Sequence, residues 1–129
     1  MEPLFDVLYK HIKRSRIEPI QAYLEQGGDP NLRQTWTLLM VAAHFGNSKI
    51  LKLLLDHGAD LETEGNVEGL TALAFAASAG RTKCVQLLIE RGASVHVRPH
   101  GAPLATYIRN CGGPYPNVDK LLAATQHQG

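Results

Sequence analysis

The sequence predicts an all-α solenoid of about four stacked helix-turn-helix units, and three observations predict it. A segment recurs inside the chain: Thr37 to Leu61 lies over Thr71 to Val95 without a gap, at an offset of 34 residues, with 10 of 25 positions identical. Unrelated segments share about one or two positions at ordinary residue frequencies, so this is a duplication. Each copy reads as two short apolar helices joined at a glycine, and neither helix pair can cover its own apolar surface, so copies must bury one another. Degraded versions of the unit flank the pair on both sides.

The first unit opens with an amphipathic helix over residues 4–14, in which Leu4, Val7, Leu8 and Ile12 form one stripe. Its second helix runs through Ile20 to the Gly27–Gly28–Asp29 ending, with Pro19 in the first turn, where a missing N–H costs little. In the two inner units Thr37 and Thr71 stand at helix starts, where a hydroxyl accepts the first unpaired amide hydrogens. Gly46 and Gly80 permit the sharp turn between helices, and Gly58 and Gly92 close the second helices in a positive-φ conformation. The last unit places its first helix within Ala102–Cys111 and its second within Asn117–Thr125, joined by the longer GGPYP loop. Terminal units are expected to be atypical because their outer faces meet water. The predicted boundaries are 1–34, 35–65, 66–98 and 99–129 within one domain.

Composition narrows the function classes. A net charge of +1 across 129 residues gives no global sign that advertises nucleic acid or a membrane surface. The N-terminal residues lack a signal-length apolar run, and the most apolar stretch elsewhere, Leu38 to Ala43, is far too short to span a bilayer. Two cysteines, Cys84 and Cys111, are too few for a disulfide framework and read as free thiols. Cys84 falls on a core-facing position, whereas Cys111 beside Gly112 and Gly113 is expected to be more exposed. A cytoplasmic, monomeric chain is expected before partner binding. No phosphate loop, dinucleotide fingerprint, nucleophile elbow or metalloprotease helix occurs. The six histidines His11, His44, His57, His96, His100 and His127 are dispersed, so no metal or cofactor is expected. Catalysis is the losing reading. Nucleic acid fits poorly as well, because the chain is not strongly basic.

The pattern Gly-x-Thr-x-Leu, Ala-Ala, Gly, Leu-Leu, Gly-Ala-Asp resembles the ankyrin repeat over nearly the whole chain. Gly69, Thr71, Leu73, Ala76, Ala77, Gly80, Leu87, Leu88, Gly92 and Ala93 carry it in one copy. The resemblance implies an ankyrin-repeat solenoid with two well-formed inner repeats and two capping repeats. The sequence departs from the family at the Thr-Pro-Leu-His start, which here is Thr-Leu-Leu-Met (Thr37 to Met40) and Thr-Ala-Leu-Ala (Thr71 to Ala74). The histidine's hydrogen bonds must therefore be absent or replaced. The segment from Gly27 to Thr37 is two residues short of the usual period, and that from Gly58 to Thr71 is one residue long.

The resemblance further implies a protein partner held on a concave face made of hairpins and first-helix ends. Alignment assigns Lys13 and Arg14, then His44 and Phe45, then Ser78 and Ala79, then Arg109 and Asn110 to the helix ends. The hairpins add Arg33, Gln34 and Trp36, then Val67, Glu68 and Leu70, then Arg98 and His100. Five cations against one acid in that set point to a partner with an acidic surface. Trp36 reads either as an anchor for that partner or as a lid over the neighbouring helix. The implied role is a protein–protein interaction module acting as adaptor or regulator, with a stand-alone inhibitor or immunity-type protein that blocks an enzyme or toxin as the alternative.

Overall fold

The computed structural model describes residues 2–126. Four helix pairs follow one another along the chain: α1 (Leu4–Lys13) and α2 (Ile17–Glu25), α3 (Leu38–Phe45) and α4 (Ser48–Asp56), α5 (Ala72–Ser78) and α6 (Thr82–Glu90), α7 (Leu104–Asn110) and α8 (Pro116–Gln126). The described residues form no strand; only Arg33 and Thr37 make an isolated bridge.

Two layers result. The first helices stack as α1–α3–α5–α7 and the second helices as α2–α4–α6–α8, with each of the first three pairs also packed internally. The inner layer approaches closely because it is built from small residues: Ala42, Ala43, Ala76 and Ala77 are fully buried. The outer layer fills the remaining space with Ile20, Ile50, Leu51, Leu54, Val85 and Leu88, all at 0% exposure. One continuous core runs the length of the stack, as expected when each unit contributes two uncovered faces.

The local signals act as their chemistry requires. The Thr37 hydroxyl accepts from the Met40 N–H at 3.2 Å, and Thr71 accepts from Ala74 at 3.4 Å. Where the family motif has histidine, the Met40 sulfur accepts the Thr37 N–H at 3.4 Å, a substitute that Ala74 lacks. Gly46 and Gly80 turn the chain at φ +72° and +71°; in the first pair the same corner is made by Ser15 at φ +57°, a strained conformation for a residue with a Cβ. The expected stripe of α1 is rotated. Phe5, Leu8 and Ile12 are the buried positions, while Leu4 is 52% exposed. The helix meets only one neighbouring pair and turns its i, i+3, i+7 face toward it.

The hairpins are irregular in length yet tied to one another. The Asn31 side chain accepts from the Asp60 N–H at 2.7 Å, and Glu62 accepts from the Ser94 N–H at 2.8 Å. Gly69, at φ +80°, brings its backbone so near that a Cβ would lie 2.7 Å from the Arg98 carbonyl carbon. The last hairpin closes in a single 3-10 turn, Pro99–Gly101. Side-chain hydrogen bonds thus keep register between hairpins whose lengths differ.

Candidate protein-binding face

Rings collect where the inner helices meet the hairpins. Tyr9 of α1 meets Phe45 edge-on at 5.7 Å, and Phe45 touches His44 at 5.0 Å. Trp36 of the first hairpin lies 5.8 Å from His44 and 4.7 Å from Phe75 of α5, the latter at 65°. Edge-to-face pairs of this kind contribute about 0.5–1.5 kcal/mol each beyond their buried area. They link three successive repeats across the inner face.

Beyond Phe75 the face opens into a groove of about 370 Å³. Trp36, His44, Phe75 and Ser78 form one side; Tyr107, Cys111 and Tyr115 form the other. Its size is at the low end for concave binding sites, room for one or two side chains of a partner. None of its lining residues is a carboxylate. Burial, and then the nearby positive Arg81, hold the His44 imidazole below its ordinary pKa, favouring the neutral ring. Burial also raises the Tyr107 hydroxyl, with the adjacent Cys111 thiol acting in the same direction. The groove is therefore a neutral, largely aromatic surface in the pH range of most cells.

The sequence-predicted residues separate into three groups. Trp36, His44 and Ser78, together with Ala79, border the groove, and Phe45 supports it through His44 while remaining half-buried. Trp36 is half-buried as well: it covers Phe75 and still edges the opening, so the lid and the exposed ring are one side chain. A second group is exposed but does not line the groove. It comprises Gln34, Glu68, Asn110 and His100, the last 6.0 Å from the Tyr107 ring; half-buried Val67 packs against the core. A third group is corrected by the structure. Leu70 is 6% exposed and belongs to the core, because Gly69 turns it inward beneath the hairpin. Arg109 faces the end of the stack, in a hollow between α7 and α8 with Leu104, Asp119 and Leu122.

The displacement of Arg109 has a definite cause. Gly112, at φ +117°, makes the corner that Gly80 makes one repeat earlier, so the last pair is offset by 32 residues rather than 31. In that register Tyr107 follows Phe75 and Cys111 follows Ala79, and both enter the groove. The sequence alignment, at an offset of 31, set Cys111 opposite Gly80; anchoring Gly112 there would have found Tyr107 and Cys111.

The five cations do not converge as expected. Arg33 donates to the carbonyl oxygens of Gln34 and Glu64, at 3.3 and 3.2 Å, and so bridges two hairpins. Arg98 donates to the Gly101 carbonyl at 3.0 Å. Lys13 and Arg14 border a separate hollow of about 690 Å³ that also holds Glu2 and Asp6. The cation near the groove is one the alignment passed over. Arg81 donates from Nε to the His44 carbonyl at 3.0 Å and lays its stem against Gly46, where a Cβ would meet its Cδ at 2.7 Å.

Metal-ligating side chains do not cluster among the described residues. No group of three or more His, Cys, Asp or Glu residues is placed to hold a metal ion; His127 lies outside the described residues. Burial pushes the Cys84 thiol up to about 11, which leaves it protonated and unreactive. Among the described residues no helix is long and apolar enough to cross a membrane.

A search of curated proteins finds no match to this chain. The family model for ankyrin repeats, in three copies, matches residues 8–99. That span runs from within α1 to the last hairpin and stops before α7, although α7 and α8 stack on α5 and α6 as a fourth pair. With 92 of its 129 residues under the model, and with paired helices stacked in two layers, the chain belongs to the ankyrin repeat family.

Proposed function

We propose that this protein is a non-enzymatic adaptor or regulator that holds one partner protein in the groove between Trp36 and Tyr107. Ankyrin repeats are protein–protein interaction modules, and the observation that carries the reading is the unfilled aromatic groove on the inner layer. Aromatic side chains that are half-covered and fixed by their neighbours are the type most often found as energetic anchors in interfaces. Among the described residues the exposed side of the outer layer carries charge: Lys52, Asp56 and Arg91 join there in ion pairs of 3.1 and 2.6 Å.

The test is affinity capture from the source cells with the wild-type chain and two variants. Ser78→Arg fills the groove without removing a core side chain, and Lys52→Ala alters the outer layer. Specific captured protein should be lost with Ser78→Arg and kept with Lys52→Ala, while both variants retain wild-type helicity by circular dichroism. Retention of the partner by a folded Ser78→Arg variant would remove the groove from the account. A captured enzyme whose turnover falls on adding the chain would select the inhibitor reading over the adaptor.

A further inference from the structure

Arg81 stands where the preceding repeat has a helix cap. Asn47 begins α4 and its side chain accepts from the Ile50 N–H at 3.0 Å. Arg81 occupies the same place before α6, and α6 has no side-chain cap. Instead the side chain reaches back over the turn of the previous repeat, with Nε on the His44 carbonyl and its stem across Gly46. That contact fixes the stem and leaves both terminal nitrogens of the guanidinium without a hydrogen-bond partner among the described residues, on an exposed residue that forms no ion pair with any described carboxylate. His44, whose carbonyl holds Arg81, is also a wall of the groove.

We infer that the groove's occupant is a partner segment carrying an aromatic or large apolar side chain beside a carboxylate, the ring entering between Trp36 and Tyr107 and the carboxylate meeting the free fork of Arg81. This rests on the reading of the groove as the docking face. Charge complementarity carries the second half. The groove lining contains no carboxylate to compete for the guanidinium, and a fixed arginine fork is suited to bidentate carboxylate recognition. The field of Arg81 already reaches the groove wall, because it contributes to keeping His44 neutral.

The experiment selects a displayed library of random 12-residue peptides on the wild-type chain, on Arg81→Asn and on Arg81→Lys. Arg81→Asn copies the cap of the preceding repeat and so preserves the helix start; circular dichroism checks the fold of each variant. Peptides enriched on the wild type should place Trp, Phe, Tyr or Leu within three residues of Asp or Glu, and should change the fluorescence of Trp36, the single tryptophan. Replacing the acid by its amide should weaken such a peptide about fivefold on the wild type, the upper range for an exposed charge pair, less on Arg81→Lys, which keeps the charge but not the fork, and not at all on Arg81→Asn. Apolar enrichment without an acid, or an acid preference that survives in Arg81→Asn, overturns the inference and leaves the groove standing. A selection that enriches nothing, or peptides that leave Trp36 unperturbed, counts against the groove itself and the inference with it.

Discussion

Leu88 and Leu87 are neighbours on α6 with opposite roles, and truncating each tests the packing directly. Leu88 is 0% exposed, on the helix that packs between α4 and α8 and against α5, whereas Leu87 is half-buried at the edge of the core. Leu88→Ala removes about three methylene equivalents, a transfer loss of about 2.4 kcal/mol. The cavity left behind brings the expected cost into the range of about 3–4 kcal/mol. Against a total stability of about 5–15 kcal/mol, that is a large fraction, and it corresponds to a midpoint lowered by about 10–15 °C for a domain of this size. Leu87→Ala should cost less, roughly 1–1.5 kcal/mol, because part of its surface is already wet. Leu54 holds the position of Leu88 in the preceding copy and is equally buried, so Leu54→Ala should fall within about 1 kcal/mol of Leu88→Ala. Urea unfolding followed at 222 nm measures all three, with an unchanged slope required for the comparison. Equal costs for Leu87 and Leu88, or a Leu88 cost under about 1 kcal/mol, would refute the two-layer packing.

Three further outcomes follow from the groove and its surroundings. His44 has a folded-state pKa below its unfolded value, so the unfolded chain binds its proton first; stability should be constant above about pH 6.5 and fall as pH drops from there through the folded value. Urea midpoints at pH 7.5 and 5.5 should show that loss, and His44→Gln should diminish it; an identical pH slope in the variant would exclude His44 as a contributor. Cys111 is exposed and Cys84 is buried with a thiol raised to about 11, so a chromogenic disulfide reagent should titrate one thiol promptly in native protein and two in denaturant. Gly46→Ala sets a Cβ against Arg81 at φ +72° and should cost about 1–2 kcal/mol from the left-handed backbone alone, measured by thermal unfolding; a neutral effect would contradict the left-handed turn at Gly46.

The stack was legible because duplication and helix punctuation are local properties of the chain. Thr37, Thr71, Gly46, Gly58, Gly80 and Gly92 each act through their own backbone or the next turn, so their roles follow from residue type and position. The face was less legible because it depends on which neighbour meets which. The stripe on α1 shifted from Leu4 to Phe5 since only one side of that helix has a partner. Arg109 moved to the end hollow through a one-residue offset, since Gly112 and not Cys111 makes the corner that Gly80 makes one repeat earlier. Arg33 and Arg98 read as free charges, yet each donates to hairpin carbonyls. Arg81 sits at a helix start, where sequence rules look for a cap and not for a side chain folded back over the previous repeat.

The central claim is that the inner groove, and not the outer helices, meets the partner. A photoreactive benzoylphenylalanine at Ser78 lies on the groove, and the same residue at Lys52 lies on the outer layer. Irradiation in the source cells should give a discrete higher-mass adduct from position 78 and none from position 52. The reverse pattern, an adduct at position 52 with position 78 silent in a folded protein, would contradict the account.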